Sequence, residues 1–275
     1  MRIPARRALF LLAAAGMAFF LARGVIHMPP FGHYSGVYGL TLNRIAVPQR
    51  HVTDVVASVN FDYRGIDTIG EQFILFVSVT GVVLLLRMQR EEAEQSEQSA
   101  EQAEQDEQPE QVAGQQVALP RWSPAVNALC QVLVAPTVVL GLYIISHGHL
   151  TPGGGFQGGA VLASAFLLLF LGGEYAALTA LIPTEFASAA DGFGAGGFVV
   201  IGFIGLALGG AFLHNALPLG PVGVIYSSGT IPLINLSVGV EVGAGFVLIL
   251  LEFLRQSLQL YERQQAREAE QPEGA

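Results

Sequence analysis

Six long apolar segments constrain the fold of this chain more than any other feature of its 275 residues. They cover approximately residues 7–26, 70–88, 123–146, 156–173, 192–213 and 231–254. An α-helix needs about 20 residues to cross the hydrocarbon core of a bilayer, and each segment reaches or approaches that length. Only 13% of the residues are charged, against about 25% in soluble domains. The sequence therefore predicts an all-α integral membrane bundle of about six transmembrane helices.

The first segment follows three arginines (Arg2, Arg6 and Arg7), as the apolar region of a signal peptide does. Its apolar run is long for a signal peptide, and residues 17–23 contain no convincing cleavage site. We therefore expect a retained transmembrane helix at this position.

Arginine positions predict the orientation of the bundle. If the N-terminus is cytoplasmic, nine arginines lie on the cytoplasmic side and four lie outside, as the positive-inside rule requires. The outside set is Arg23, Arg44, Arg50 and Arg64. Both termini are then cytoplasmic, and residues 27–69, 147–155 and 214–230 lie outside the plasma membrane.

An acidic stretch divides the chain into two modules. Nine acidic residues lie between Glu91 and Glu110, in a run that is too polar to bury a core. We interpret residues 91–119 as a cytoplasmic linker between a two-helix module (1–90) and a four-helix module (120–260), followed by a polar tail (261–275). The sequence has no basic patch, so we expect no nucleic-acid partner.

The most informative motif joins the third and fourth segments and reads SHGHLTPGGGFQGG from Ser146 to Gly159. Thr151 and Pro152 suit the N-cap and first position of the next helix. Glycine permits backbone angles closed to other residues, and glycines four apart share a face that another helix can approach. The glycines of the motif are Gly153, Gly154, Gly155, Gly158 and Gly159.

Two interpretations of this motif stay open. It is a tight loop with a packing groove, or it adds an ion or proton entry beside His147 and His149, because histidine changes charge near neutral pH. Metal or haem binding is disfavoured, since all six histidines lie near predicted helix ends or in loops. The glycines lack the GK[ST] sequence and preceding strand of a nucleotide site. We therefore expect no metal and no cofactor.

Glu241 lies near the middle of the last apolar segment. A carboxylate at membrane depth is costly and often marks a proton or ion path. The alternative is a protonated or paired glutamate that locks helices together. Ser237 lies one turn earlier and is expected to hydrogen-bond Glu241. Asn235 is interpreted as a hydrogen-bonding contact between helices.

A polar cluster precedes the second segment. Asp67 and Glu71 are expected near the start of that helix, where the helix dipole favours negative charge, and Arg64 can pair with Asp62 or Asp67. The cluster is either a charge-capped helix start or an acidic vestibule that attracts cations.

The motif HGHLTPGGGFQGG resembles the signature of the B subunit of Mrp-type antiporters, and residues 231–245 resemble the last helix of the same family. This resemblance covers roughly residues 120–255. The stretch DVVASVNFDYRGIDTIGE, from Asp54 to Glu71, is similar to the C-terminal region of the large A subunit of these antiporters and to the small E subunit of membrane-bound hydrogenases. The chain thus resembles a fusion of an E-like module and a B module.

The resemblance implies a subunit of a hetero-oligomeric Na+/proton antiporter driven by the proton motive force, a transporter component rather than an enzyme. Its implied partners are the other antiporter subunits, Na+, H+ and the lipid bilayer. Two alternatives stay open: a redox-coupled complex related to membrane-bound hydrogenase and respiratory complex I, or a purely structural subunit. The histidine placement disfavours a haem-bearing anchor. The candidates for an ion or proton path are Glu241, His147, His149, Asp67 and Glu71.

Overall fold

The structure is a computed structural model that describes residues 3–28, 30, 32, 36–104, 123–173 and 183–270. Within these ranges it contains eight α-helices, a five-residue π-helical segment (Val59–Tyr63) and no strand, which confirms the all-α prediction. The helices are α1 (Ile3–Ile26), α2 (Val37–Arg50), α3 (Val55–Ser58), α4 (Gly65–Glu104), α5 (Pro124–His147), α6 (Gly155–Leu171), α7 (Thr184–Gly209) and α8 (Ile231–Glu270).

Five helices contain stretches that are long and apolar enough to cross a membrane. The sixth predicted segment corresponds to α6, which is apolar but has only 17 residues. The multi-pass architecture predicted from the sequence is therefore confirmed. The five spans are Arg7–Ile26, Gly65–Glu92, Pro124–His147, Thr184–Gly209 and Ile231–Ser257.

Helix α7 begins eight residues before the predicted segment 192–213, at Thr184. Asp191 interrupts the apolar run of the sequence, but its side chain is only 2% exposed and lies inside the helix bundle. The helix also ends earlier than predicted, because Gly210 adopts a left-handed conformation with φ of 74°. The prediction was wrong at both ends for these two local reasons.

The predicted linker and tail are partly helical. Helix α4 continues through Glu104, so residues 91–104 extend it, while residues 105–119 lie outside the described residues. Helix α8 likewise continues to Glu270 within the predicted polar tail.

The chain divides into two compact units, Met1–Thr41 and Leu42–Ala275. The smaller unit contains α1, and none of its apolar stretch Arg7–Ile26 is buried. A helix that is apolar all round is typical of a span surrounded by lipid or by other membrane helices.

In the larger unit, α8 is the central helix. Its apolar stretch is 56% buried, against 28% or less in the other spans. It packs against α4, α5, α6 and α7. Side chains on α8 are therefore the most shielded from lipid and water in this unit.

The neighbours of α8 alternate in direction. Helix α4 runs parallel to α8, since Val79 lies at the level of Gly245 and Arg87 pairs with Glu252. Helix α7 runs antiparallel, since Gly194 lies against Glu241 and Thr184 bonds Arg255. This alternation is what successive membrane crossings produce.

Three loops meet at one end of this unit. The backbone N–H groups of Thr53 and Asp54 donate to the His149 carbonyl, each at 3.2 Å. The Ser228 hydroxyl donates to the His51 carbonyl at 3.0 Å. These contacts join residues of three segments (27–69, 147–155 and 214–230) that were predicted to lie on the same side of the membrane. Which side that is stays a prediction.

Candidate ion-translocation site

Asn235 joins three helices at the glycine motif. Its side-chain oxygen accepts a hydrogen bond from the Gly155 N–H at 2.6 Å, and its amide nitrogen donates to the Ile145 carbonyl at 2.5 Å. The side chain is fully buried. The first N–H of α6 and a carbonyl near the end of α5 are thereby satisfied away from water. The residue bridges α5, α6 and α8, as its interpretation as an inter-helix contact requires.

The loop before α6 differs from the predicted cap. Helix α6 begins at Gly155, and Pro152 lies exposed outside it, so the expected Thr151 N-cap is wrong. The Thr151 N–H instead donates to the His147 carbonyl at 2.9 Å and closes a turn after α5. Gly153 and Gly154 have φ of 143° and 145°, backbone angles that need glycine.

The remaining glycines allow close helix contacts. A Cβ at Gly159 would lie 2.8 Å from the Gly239 carbonyl of α8, and one at Gly158 would lie 2.8 Å from the Gly141 carbonyl of α5. Neither position has room for a side chain without moving backbone. Gly155 is equally close to α8. The motif therefore packs α6 between α5 and α8 with little space between their backbones.

The glycine motif also forms one wall of a polar cavity of about 280 Å³. Glu71 and Gln72 of α4 also line this cavity. Gln72 is only 3% exposed, and its side-chain oxygen has no hydrogen-bond partner. Polar neighbours in the lining are Asn60, Thr68 and Gln157. Two motifs that lie far apart in the sequence thus line the same cavity.

Asp67 does not line this cavity. Its carboxylate is paired with Arg64 three residues earlier, and the side chain is 45% exposed. Asp62 pairs with Arg50 at 2.6 Å instead of with Arg64. Of the two predicted acids, only Glu71 therefore lies where a cation entering the cavity would meet it.

The two histidines occupy different surroundings. His147 stacks on Tyr143 with ring centroids 4.2 Å apart, and its Nδ1 lies 3.1 Å from the Tyr143 carbonyl oxygen. His149 is fully buried, and its ring lies beside the backbone of Val224 and Ile225. Burial lowers the pKa of His149, which favours its neutral form. Neither ring lines the polar cavity, so their predicted part in an ion path gains no geometric support.

Glu241 is fully buried on the central helix, and neither carboxylate oxygen has a hydrogen-bond partner. The expected hydrogen bond from Ser237 is therefore absent, and the Ser237 hydroxyl lies against Gly197 of α7. Gly194 of α7 faces Glu241 closely, since a Cβ there would lie 2.5 Å from the Glu241 nitrogen. Buried polar groups normally have partners, so this carboxyl group is exceptional.

Asp191 is a second buried acid that sequence reasoning missed. It is 2% exposed, and its Oδ1 has no hydrogen-bond partner. This oxygen lies 3.2 Å from the Cβ position of Gly245, one turn after Glu241 on α8. The available signal in the sequence was a single acidic residue beside an apolar run. The prediction placed this residue just outside the membrane span.

Glu252 was also missed, and its surroundings are the opposite. It is 1% exposed and pairs with Arg255 at 3.1 Å, Arg87 at 3.3 Å and Arg90 at 3.4 Å. Arg255 also donates to the Thr184 hydroxyl at 2.7 Å. These arginines had served only to predict orientation. In the described part of the chain, no group of three or more His, Cys, Asp or Glu side chains is arranged to hold a metal ion.

Comparison with known proteins finds a family match that begins in α5 and ends in α8. Residues 125–248 match a family model described as a domain related to the MnhB subunit of Na+/H+ antiporter. The B subunit of the Na+/H+ antiporter of Alkalihalophilus pseudofirmus is 34% identical over 87 residues, 32% of this chain and 60% of that protein. The A/B subunit of a probable K+/H+ antiporter of Rhizobium meliloti is 32% identical over 125 residues, 44% of this chain and 12% of that protein.

Longer matches come from two archaeal proteins. An uncharacterized protein of Methanocaldococcus jannaschii is 28% identical over 214 residues, covering 74% of this chain and 78% of that protein. A chain of the membrane-bound sulfane sulfur reductase, an archaeal respiratory membrane complex, is 29% identical with a TM-score of 0.67. That match covers 91% of this chain and 98% of the other.

The fold also occurs in an Mrp complex. The structure of the Mrp complex from Dietzia matches with a TM-score of 0.64 and 23% identity, over 90% of this chain and 26% of that one. This protein is thus a multi-pass cell-membrane protein that shares its fold with part of a chain of that complex. Residues 125–248 are an MnhB-related domain, which confirms the resemblance carried by the glycine motif. The resemblance of residues 1–90 to the E subunit of hydrogenases stays a prediction.

Proposed function

We propose that this protein is a membrane subunit of a Na+/proton antiporter driven by the proton motive force, assembled with other antiporter subunits. The observation that carries the proposal is Glu241, a fully buried carboxyl group without a hydrogen-bond partner on the central helix. An unpaired ionised carboxylate is costly at membrane depth. Such a group is suited to hold a proton and to release it when a cation arrives.

In the proposed cycle, the polar cavity is the approach to this carboxyl group. Val238 lines the cavity, and Glu241 follows it by three residues, about 4.5 Å along the helix axis. In the proposed cycle, Glu71 attracts the cation into the cavity and Glu241 exchanges its proton for it. Asp67, His147 and His149 stay candidates with less geometric support.

The experiment is Na+-dependent proton flux in vesicles that contain the complete complex, comparing wild type with Glu241→Gln. The amide preserves shape but cannot release a proton, so we expect flux to fall strongly while assembly is normal. The matched control is Glu185→Gln on α7, an exposed acid that the proposal does not use. Normal flux in Glu241→Gln would mean that this protein only scaffolds the complex.

A second candidate function is supported by one specific observation. The match that covers 98% of a solved chain belongs to a respiratory membrane complex, whereas the two antiporter relatives described above match over shorter stretches. The same bundle could therefore serve in a redox-driven complex. If wild-type vesicles move ions only after an electron donor is added, this second function replaces the first.

A further inference from the structure

Two buried carboxyl groups face the same contact between α7 and α8. Gly194 brings the α7 backbone against Glu241, and Asp191 lies one turn before Gly194 on the same face. The Asp191 oxygen reaches the Cβ position of Gly245, one turn after Glu241. Both side chains therefore lie at the α7–α8 contact, about one helical turn apart along it.

Neither carboxyl group is paired with a positive charge. At their level, α4 presents Val79, while Arg87 and Arg90 pair with Glu252 at the far end of the apolar stretch. Helix α6 has no ionisable residue, and the ionisable residues of α5 are Cys130, Tyr143 and His147. Glu185 of α7 is exposed. Within the described residues, nothing facing the pair neutralises it.

We propose that Asp191 and Glu241 are the two protein ligands of a monovalent cation site, an inference that rests on the proposed antiport function. Within the described residues, neither Asp191 Oδ1 nor either Glu241 oxygen makes a hydrogen bond, so these oxygens are free to bind a cation. Carboxylate oxygens are suitable ligands for hard cations.

Charge balance defines how the site exchanges ions. With both carboxyl groups protonated, the pair is neutral. When one cation enters and one proton leaves, a single carboxylate balances the cation, and the other carboxyl group stays protonated and supplies a neutral oxygen ligand. The site is neutral before and after, so no net charge is buried at either stage.

The test compares Asp191→Ala, Asp191→Asn and Glu185→Gln in the complete complex. Asp191→Ala removes a ligand oxygen, so the Na+ concentration for half-maximal proton flux should rise by at least about tenfold. Asp191→Asn keeps a neutral oxygen and should restore most of the Na+ affinity. The Glu185→Gln control should match wild type. A wild-type Na+ dependence in Asp191→Ala would overturn the inference.

A spectroscopic readout separates ligation from packing. In the purified wild-type complex, Na+ should reduce the infrared absorption of protonated carboxyl groups, and choline at the same concentration should not. This change should be absent in Glu241→Gln. If Asp191→Ala does not assemble, the wild-type measurement decides. The absence of a Na+-dependent infrared change in wild type would refute the site.

The outcomes also separate this inference from the proposed function. Normal Na+-dependent flux in Asp191→Ala together with lost flux in Glu241→Gln refutes only the ligand assignment of Asp191. Normal flux in both variants refutes the ion-path function of Glu241 as well.

Discussion

Helix α8 carries two buried glutamates, Glu241 and Glu252, in opposite electrostatic surroundings. Glu252 lies among three arginine side chains, while neither oxygen of Glu241 has a hydrogen-bond partner. Both are at most 1% exposed. A glutamate neutralised by several fixed cations serves to hold helices together, whereas an unpaired one is open to an exchangeable proton or cation.

The neighbouring helices explain this difference. Near Glu252, α4 has reached Arg87 and Arg90 at the end of its apolar stretch, where the long side chains can still reach water. Near Glu241, the facing residue on α7 is Gly194, which brings the backbones together. An arginine has no room in such a contact. The small residues that permit tight packing therefore also keep Glu241 unpaired.

The largest expected effect is on stability when Glu252 loses its charge. Glu252→Gln removes the carboxylate charge that three arginine side chains share. We expect destabilisation of roughly 3 kcal/mol, the lower part of the range for a broken buried pair, because the arginine ends are partly hydrated. The measurement is the thermal unfolding temperature of the purified complex. Glu241→Gln is the matched comparison and should change this temperature little. Equal destabilisation by the two variants would contradict the contrast between the two glutamates.

A smaller effect tests the close contact between α6 and α8. Gly155→Ala places a Cβ within 2.8 Å of the Gly239 nitrogen, so α6 must move away from α8. We expect a loss of about 2 kcal/mol, typical of overpacking. Gly196→Ala is the control, because nothing lies within 4 Å of a Cβ there. An unchanged unfolding temperature for Gly155→Ala would show that the α6–α8 contact tolerates separation.

The smallest effect concerns His149, which is fully buried as Glu241 is. Burial lowers the pKa of His149 below its ordinary value of 6.5, so the unfolded chain binds the proton more tightly. The contribution to stability is therefore complete above pH 6.5 and is lost as the pH falls from there through the lowered pKa.

Thermal unfolding on both sides of pH 6.5 checks this prediction. The acid-induced drop in unfolding temperature should be smaller in His149→Gln than in wild type. His27→Gln, at an exposed histidine, should leave the drop unchanged. An identical drop in His149→Gln would assign the pH dependence to other groups.

Candidate residues were visible in the sequence where a polar side chain interrupts an apolar run. Glu241 was found because it stands in the middle of an apolar run, and Asn235 for the same reason. Asp191 was missed because it stands at the margin of such a run, where an acid is ordinarily solvated. Glu252 was missed because its significance depends on arginines 162 and 165 residues earlier.

The glycine motif illustrates a further limit. Its sequence correctly indicated unusual backbone angles and close packing, but it could not indicate that Glu71 lies across a cavity from it. Pairing of segments that are far apart depends on how the helices pack, and hydrophobic periodicity carries no such information.

The sequence by itself determined the membrane character, the helical class and the approximate spans of this protein, because hydrocarbon requires apolar helices that satisfy their own backbone hydrogen bonds. The glycine motif also indicated the resemblance of the second module to the MnhB subunit, which residues 125–248 bear out. Tertiary structure decided which acids are paired across helices, since Glu252 meets two arginines of α4 and Glu241 meets Gly194 of α7. Charge compensation is a property of neighbours in space, and only the packed bundle defines those neighbours.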